Sequence, residues 1–345
     1  MGSHQRSCSH RRCHCTVQSA SNIVPINTPN PDVVQTTKAV GDDLRANILR
    51  ALGQDSFGVN ELVQIFATSQ PAMSHHLKVL RSAGLVTQRR DGTTVYYQRA
   101  LPDNQLTQAI FDALGHSAIT DKQQSAIEQI YAARAARSRQ FFDEQADALA
   151  QQHALICPPD VYTTALVECI SHHFSEGAEK GLEIGPGAGL VLRTLAPLCK
   201  SLTGIDVSSQ MLAEAAGAAA DLSNVDLIES DFADLALGPT YDLIVAGMVV
   251  HHMPSPARFF KKAAAVMSQG GLLVIAELCR HEQEWVKQQC GDLWQGFAPG
   301  ELNEWAAMAS FKRVQQQFLA QRNGFRVQVS AYLLTHTQPG TKRPE

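Results

Sequence analysis

Residues 181–192, GLEIGPGAGLVL, place a glycine-rich loop directly after a short apolar run, and this arrangement most constrains the fold. From here on, short apolar runs alternate with helical stretches, which is typical of a mostly parallel sheet with helices on both faces. The runs are GLEIG, LTGID, VDLIE, YDLIVAGMVV, GLLVIAEL and FRVQVSAYLLTHT. We therefore predict a doubly wound α/β domain. Between the last two runs we predict only a turn, and so an antiparallel hairpin at the sheet edge.

The glycine-rich loop itself narrows the choice of ligand. Gly185, Gly187 and Gly189 let the backbone approach a bound molecule closely, and the helix that follows offers free N–H groups. Both NAD and S-adenosylmethionine (SAM) use such loops, but the dinucleotide fingerprint needs its third glycine one residue later. SAM carries an ammonium and a sulfonium and no phosphate, so the carboxylate of Glu183 favours it. The residues therefore favour SAM over NAD.

Two further acids follow the next two predicted strands. Asp206 ends the second strand, where its carboxylate is placed to accept hydrogen bonds from both ribose hydroxyls. Asp231 ends the third strand, where it is placed to accept a hydrogen bond from an adenine amino group beside Phe232. Each acid alone is more typical of a loop cap. Together with Glu183, three acids at successive strand ends favour a nucleoside site.

The second half of the chain, residues 139–338, resembles class I SAM-dependent methyltransferases of the small-molecule, UbiE-like type. LEIGPGAG, GIDVSSQML, ESDFADL and VVHHMPSPARFFKKAAAVMSQGGLLVIAEL carry the likeness. The resemblance implies a seven-stranded Rossmann-like sheet that binds SAM or its product S-adenosylhomocysteine (SAH). It also implies the cofactor contacts, at Glu183, Gly185, Gly187, Gly189, Asp206, Asp231 and Phe232.

No catalytic residue follows from the sequence. Methyl transfer is an in-line displacement at an activated carbon, so a dedicated base is often unnecessary. His251 and His252 are the candidates for a base, although in comparable proteins this position often only shapes the pocket. The loop reads AGMVVHHM, without the Asp-Pro-Pro-Tyr-like sequence used to methylate DNA bases, so we expect an unidentified small-molecule acceptor.

A second motif lies about a hundred residues earlier, in TSQPAMSHHLKVLRSAGL, residues 68–85. At helical spacing, Met73, Leu77 and Leu80 fall on one side. The opposite side carries hydrogen-bond donors and cations but no acid, which suits the base edges and phosphates of DNA. A short helix, VNELVQIFAT, precedes it and has Asn60 as a good N-cap. This pair of helices predicts a helix-turn-helix.

The segment GLVTQRRDGTTVYYQRA then gives two strand-like runs that we expect Asp91 and Gly92 to join, with Arg89 and Arg90 at the tip. The order predicts a winged helix-turn-helix over 31–104. QPAMSHHLKVLRSAGLV and RRDGTTVYYQ resemble ArsR-type transcriptional regulators, which implies a homodimer reading two half-sites of double-stranded DNA. The expected DNA contacts are Gln70, Ser74, His75, Lys78, Arg81, Arg89 and Arg90.

The cysteines argue against the metal switch of that family. Its metal-sensing members carry a cysteine pair in the helix before the reading helix, whereas here ELVQIFAT has none. The tract SCSHRRCHC holds Cys8, Cys13 and Cys15 with interleaved histidines, and such tracts bind zinc or belong to disordered tails. Its spacing is not that of a structural zinc site, so we expect a disordered tail over 1–30 and assign no metal.

The remaining boundaries follow from pattern and charge. We expect a helical dimerisation or connector segment over 105–138 and a short tail over 339–345. The net charge is −4, but basic side chains outnumber acidic ones in the first hundred residues and the reverse holds afterwards, which fits a DNA-facing front. The longest apolar run, LIVAGMVV, is too short to span a bilayer, and no secretory pattern is visible, so we expect a cytoplasmic protein without membrane contact.

Two functions remain open at this point. In the first, the chain is a transcriptional regulator whose methyltransferase fold senses SAM or SAH, or methylates a small molecule, to control DNA binding. In the second, it is an active small-molecule methyltransferase whose DNA-binding half is secondary.

Overall fold

The computed structural model describes residues 33–115, 118–236 and 241–335. The expected tails and the tract with Cys8, Cys13 and Cys15 lie outside these ranges. Within them, no helix combines the length and the apolar character that crossing a bilayer requires.

The first part of the chain is a winged helix-turn-helix, as predicted. A three-stranded antiparallel sheet, in the order β1-β3-β2, packs beside the helices. The elements are α1 (Val33–Val40), α2 (Asp43–Leu52), β1 (Phe57–Gly58), α3 (Val59–Phe66), α4 (Gln70–Ser82), β2 (Val86–Asp91), β3 (Thr94–Arg99) and α5 (Gln105–Gly115).

Local capping explains where the two central helices begin. Ser69 is the N-cap of α4 and accepts a hydrogen bond from the Ala72 N–H, at 3.4 Å. Helix α3 begins two residues earlier than an N-cap at Asn60 would give. Its N-cap is Gly58, whose N–H donates to the Glu61 carboxylate at 2.7 Å, so the prediction that Asn60 is the N-cap is wrong. The carboxylate of Glu61 replaces the cap that Asn60 offers.

The turn of the wing hairpin lies one residue later than the sequence suggested. Asp91 pairs with Thr94 inside the β2–β3 ladder, so the connecting residues are Gly92 and Thr93 rather than Asp91 and Gly92. Gly92 has a φ of 58°, the left-handed conformation that such two-residue turns require and that glycine adopts without strain. The shift of one residue places Asp91 in the ladder, where it is buried.

One long helix joins the two halves of the protein. Helix α6 (Asp121–Ile156) is continuous across residues 138 and 139, where the sequence had suggested a domain boundary. Ile127, Ile130 and Tyr131 in its first part belong to the apolar core of the winged helix-turn-helix. The connector is therefore built into the winged helix-turn-helix.

The second half is the predicted doubly wound, seven-stranded domain. Its strands lie in the order β6-β5-β4-β7-β8-β10-β9. They all run in the same direction except β10, which is antiparallel to both β8 and β9. The elements are α7 (Asp160–His173), β4 (Ala178–Ile184), α8 (Leu190–Leu195), β5 (Cys199–Asp206), α9 (Ser209–Ala218), β6 (Val225–Glu229), β7 (Tyr241–Gly247), α10 (Pro256–Val266), β8 (Met267–Leu278), α11 (Trp285–Gln289), α12 (Pro299–Met308), β9 (Phe311–Ala320) and β10 (Arg326–Leu334).

Alternate residues of the central strands fill two apolar layers. In β7, Leu243 and Val245 face one buried cluster, whereas Ile244 and Ala246 face the other. A strand buried on both faces reads as a continuous apolar run, which is why YDLIVAGMVV was recognisable.

The edge of the sheet differs from the prediction. The antiparallel hairpin is formed by β9 and β10, and two helices and β9 separate β8 from β10, so the predicted turn between the last two apolar runs is wrong. Strand β9 reads FKRVQQQFLA and is half exposed along most of its length. An edge strand covered on one face lacks the apolar run that identified the others.

The wing packs against the second half of the chain. Arg89 is 6% exposed and pairs with Asp91 at 3.1 Å and with Glu301 of α12 at 3.4 Å. Its guanidinium carbon lies 4.8 Å from the centre of the Trp294 ring. Lys287 of α11 forms a further ion pair with Asp91. The segment 281–305, which we call the insert, therefore covers one face of the wing.

We predict that Arg89→Ala lowers the free energy of unfolding by about 3 kcal/mol, because it leaves Asp91 and Glu301 buried without their shared partner. That value is the lower end of the usual range, since each carboxylate keeps another basic neighbour. The matched control is Arg90→Ala, whose side chain is exposed, with an expected change below about 0.5 kcal/mol. Urea titration measures both. Equal effects of the two substitutions would contradict the packed wing.

Candidate functional site

A cavity of about 400 Å³ opens at the carboxyl ends of β4, β5 and β7. In the strand order, β4 and β7 are the neighbours from which the sheet grows in opposite directions. Open α/β sheets bind their ligands at this switch point, outside the carboxyl ends of the strands. The fold therefore places the cavity where a cofactor is expected.

The structure brings six of the seven sequence-predicted cofactor residues to this cavity. They come from three separate segments of the chain, at the carboxyl ends of β4, β5 and β6, and all of them line the cavity: Glu183, Gly185, Gly187, Asp206, Asp231 and Phe232. The seventh, Gly189, is not part of the lining.

The glycines divide into ligand-facing and packing positions. Gly187 has a φ of 52°, and a Cβ added there would have no other heavy atom within 4 Å. Its backbone therefore borders the cavity directly. At Gly189, with a φ of 80°, a Cβ would lie 2.9 Å from the Ala215 Cα. Gly189 is therefore required for the close approach of the loop to α9, and its lack of a side chain serves packing.

Glu183 is a buried carboxylate with spare hydrogen-bonding capacity. It is 2% exposed, and its Oε2 atom has no hydrogen-bond partner among the described residues. Burial, reinforced by the negative charge of Asp206, raises the pKa of Glu183 to about 8. A cationic ligand group beside Glu183 would stabilise its ionised form. This environment suits the ammonium and sulfonium of SAM.

Asp206 and Asp231 each accept a hydrogen bond within their own loop and also line the cavity. The Asp206 carboxylate accepts a hydrogen bond from the Ser208 N–H at 2.9 Å, and the Asp231 carboxylate accepts one from the Ala233 N–H at 2.9 Å. Burial raises the pKa of Asp206, and backbone N–H groups oppose that shift. Both acids therefore cap their loops and line the cavity at once.

His251 and His252 lie in a short turn after β7, and both line the cavity. The His251 Nδ1 atom is 2.7 Å from Glu277 Oε1, and the His251 backbone N–H donates to Glu277 Oε2 at 3.1 Å. Burial alone would lower the pKa of His251, but the charges of Glu277 and Asp292 raise it to about 9. A histidine that keeps its proton at neutral pH is suited to positioning a ligand rather than to accepting a proton from it.

Some residues that line the cavity were not predicted from the sequence. Ala135, Ser138 and Arg139 of α6 line it, as does Tyr162 of α7. The sequence of α6 indicated only a polar connector, and a single tyrosine in a helix does not belong to any recognisable motif. Their contribution depends on how α6 and α7 pack over the sheet, which no local pattern specifies.

Arg134, on the same turn of α6, connects the cavity to the winged helix-turn-helix. Its Nε and Nη2 atoms donate to the Glu61 carboxylate at 2.9 and 2.6 Å, and Nη2 also donates to the Ser56 carbonyl at 3.2 Å. Its Nη1 atom donates to the Pro254 carbonyl at 2.8 Å, and Pro254 lines the cavity. One buried side chain thus contacts the start of α3 and a cavity loop.

The sequence-predicted DNA contacts fall into an exposed group and one exception. Five lie on one helix, α4, with four exposed and Ser74 partly exposed: Gln70, Ser74, His75, Lys78 and Arg81. Arg90, on the wing, is exposed as well. Arg89 is not at an exposed tip, because the insert covers it, and that placement from the sequence is wrong. In this arrangement its guanidinium is unavailable to a phosphate.

Two family models match the chain. Residues 42–88 match the model described as "Bacterial regulatory protein, arsR family", which covers α2 to β2. Residues 182–275 match "Methyltransferase domain", which covers the cofactor loop and the strands around it.

Individual relatives divide along the same boundary. The regulator KmtR of Mycobacterium tuberculosis is 36% identical over 91 residues, 25% of this chain and 68% of its own length. The cadmium resistance regulator CadC homolog of Staphylococcus aureus is 34% identical over 89 residues, 25% of this chain and 72% of its own length. The ubiquinone biosynthesis O-methyltransferase of Parvibaculum lavamentivorans is 34% identical over 101 residues, 29% of this chain but only 40% of its own length.

Among solved structures, the N-methyltransferase NodS from Bradyrhizobium japonicum WM9, in complex with S-adenosyl-l-homocysteine, has a TM-score of 0.44 and 21% identity. The similarity covers 50% of this chain and 86% of that one. The chain covers more than two thirds of KmtR at 36% identity, so the protein belongs to the arsR family of bacterial regulatory proteins. Its residues 182–275 belong to a methyltransferase domain, for which SAM or SAH is the cofactor.

Proposed function

We propose that this protein is a transcriptional regulator whose affinity for DNA changes when SAM or SAH occupies the cavity. The observation that carries the proposal is the pair of contacts that Arg134 makes. Its guanidinium donates both to the carboxylate of Glu61, in the DNA-binding half, and to the carbonyl of Pro254, beside the cavity. The family membership supports DNA binding, and the methyltransferase domain supplies the ligand.

The ligand would lie across the carboxyl ends of the strands. Glu183 would face its ammonium group, Asp206 would accept both ribose hydroxyls, and Asp231 would accept the adenine amino group. The Phe232 ring, which packs 5.6 Å from Phe259 between centroids, would border the adenine. Gly185 and Gly187 would give the backbone its close approach.

Helix α6 provides the first route from ligand to DNA. Ser138 and Arg139 line the cavity within five residues of Arg134, on a single continuous helix. Arg134 fixes Glu61, which caps α3, and α3 is joined to α4 by a turn of three residues. A ligand that prefers one position of α6 would therefore bias the position of the reading helix.

The insert provides a second route. Trp294 donates its indole N–H to the Met253 carbonyl at 2.8 Å, and Met253 lines the cavity. The other side of Trp294 packs on Tyr96 of the wing, with the ring centroids 4.9 Å apart. Movement of the cavity loop would thus reach the wing as well as the reading helix.

DNA would be read by the exposed face of α4. Ser74, His75 and Lys78 present donors and a cation that suit base edges and phosphates. We propose a cytoplasmic homodimer, because repressors with this fold place two reading helices about one helical turn apart on a symmetric site. Arg90 would contact the backbone beside each helix.

The test is a titration of full-length protein on DNA from upstream of its own gene, followed by fluorescence anisotropy. Three samples contain SAM, SAH or neither. We expect one of the two ligands to change the affinity at least about fivefold, the lower end of allosteric coupling. If neither ligand changes the affinity beyond experimental error, the sensor proposal fails.

A second candidate function is methylation of a small molecule. Besides the proposed cofactor residues, the cavity is lined by Tyr162, His251 and His252, and we propose that these side chains would border an acceptor. His251, fixed by Glu277, would position the acceptor rather than deprotonate it. Acceptor-dependent production of SAH, together with DNA affinity that ignores both ligands, would favour this function over the first.

We predict that Arg134→Met removes the response of DNA affinity to the ligand, since it breaks the contacts to both Glu61 and Pro254. The matched control is Arg137→Met, which removes an exposed arginine one turn along the same helix and should leave the response intact. The measurement is the ratio of DNA affinities with and without SAH. A full response in Arg134→Met would show that coupling does not pass through this side chain.

We predict that SAM binding tightens with pH because Glu183 must ionise to meet a cation. In free protein the carboxyl is mostly protonated below its pKa of about 8. Affinity should therefore rise by up to about tenfold per pH unit between pH 6 and 7, below the range in which the ligand amino group loses its proton. Glu183→Gln should bind more weakly at pH 7.5 and lose this slope in calorimetry. Parallel slopes for both proteins would exclude Glu183 as the group responsible.

We predict that Lys78→Ala weakens DNA binding on every sequence and lowers the slope of log affinity against log salt by about 1, as loss of one phosphate contact should. Lys312→Ala changes the net charge equally but alters an exposed lysine of β9, and should leave the slope unchanged. Anisotropy over a range of salt concentrations distinguishes the two. An unaltered slope in Lys78→Ala would contradict the proposed docking face.

A further inference from the structure

We propose that His251, His252 and Asp292 form a binding site for one divalent transition-metal ion of the zinc class. The three side chains are buried, and each offers a ligand atom, all within 4.8 Å of one another. Two come from the turn after β7 and the third from the insert, so a metal ion here would join the insert to the cavity.

The distances fit a site that closes slightly around an ion. His251 Nε2 lies 3.8 Å from Asp292 Oδ1, and His252 Nδ1 lies 3.9 Å from the same oxygen. Tetrahedral zinc with bonds of about 2.0–2.1 Å places its ligand atoms roughly 3.4 Å apart. Each side chain therefore needs to move by less than about 1 Å.

Glu277 prepares His251 to be a ligand. Its Oε1 atom is 2.7 Å from His251 Nδ1, so the imidazole donates its Nδ1 proton to the carboxylate and presents Nε2 to the cluster. The carboxylate is itself fixed by the backbone N–H groups of His251 and Leu278, at 3.1 and 2.5 Å. This carboxylate–histidine arrangement is the usual support behind a metal-bound imidazole.

The carboxylate of Asp292 also points to a bound cation. It is 1% exposed, and neither of its oxygens accepts a hydrogen bond from any described residue. Buried carboxylates are normally satisfied by several donors, and leaving both oxygens without one is costly. The ion contact to His251 at 3.8 Å is too long to be a hydrogen bond. A bound cation would satisfy the carboxylate directly.

Charge and ligand type indicate the class of ion. Glu277 and Asp292 place two carboxylates beside two imidazoles, and a divalent cation would balance the charge of both carboxylates. On binding, the ion would displace the Nε2 proton of the His251 imidazolium, which leaves to solvent. Two nitrogens and one carboxylate oxygen favour zinc, cobalt, nickel or iron over magnesium and calcium. Both imidazoles line the cavity and Asp292 does not, so the remaining coordination position faces the cavity. A water or an oxygen of a cavity ligand would occupy it.

The experiment titrates Co²⁺ into the full-length chain, with Cys8, Cys13 and Cys15 replaced by serine to remove the thiols of the amino-terminal tract. We expect one Co²⁺ per chain, with d–d absorption bands, no thiolate-to-cobalt charge-transfer band, and displacement by Zn²⁺. Glu277→Gln should weaken Co²⁺ binding by about 10–100-fold. Asp292→Asn, which removes a direct ligand, should weaken it further.

The control is His172→Asn, which removes an exposed histidine of α7 and should bind Co²⁺ as the parent does. Near-ultraviolet circular dichroism reports whether each variant is folded, and His252→Gln replaces Asp292→Asn if the latter is not. If the parent protein binds no Co²⁺, or if Asp292→Asn and His252→Gln bind it as tightly as the parent, the cluster is a buried ion-pair network and the proposal is wrong.

Discussion

The guanidinium of Arg134 is the interaction on which the arrangement of the two halves depends. It is 9% exposed, forms a two-pronged pair with Glu61, and donates to the Ser56 and Pro254 carbonyls. Burial raises the pKa of nearby Asp55, and the charge of Arg134 opposes that shift. Such a buried charge contributes little net stability once its desolvation is counted, but it requires its partners to be in place. Because its partners lie in both halves, Arg134 favours one position of the winged helix-turn-helix relative to the methyltransferase domain.

The wing interface adds a second constraint of the same kind. Arg89, Asp91 and Glu301 form a buried charged group between the wing and the insert, with Trp294 stacked over the arginine. Trp294 also holds the Met253 carbonyl, and its neighbour Asp292 belongs to the proposed metal cluster. The insert therefore contacts the wing on one side and the cavity on the other. Its place between them explains how a pocket for a small molecule would affect the DNA-binding half.

What could be predicted from sequence was local. Glu183, Asp206 and Asp231 end successive strands, and parallel strands bring their carboxyl ends to one edge, so their convergence follows from pattern alone. The apolar stripe of α4 likewise determines which face is exposed. Arg89 was misplaced because its burial depends on the insert, about two hundred residues away. Arg134 went unnoticed because α6 has no motif, and a charged residue in a polar helix normally faces solvent.

The central claim is that the cavity and the DNA-binding face are coupled, and coupling between two binding sites is reciprocal. The most direct measurement is therefore the affinity of SAM and of SAH for the full-length protein, by calorimetry, with and without saturating DNA from upstream of its gene. At least one of the two ligands must bind free and DNA-bound protein with different affinities, by the same factor with which that ligand changes DNA affinity. Equal affinities for free and DNA-bound protein with both ligands would contradict the coupling.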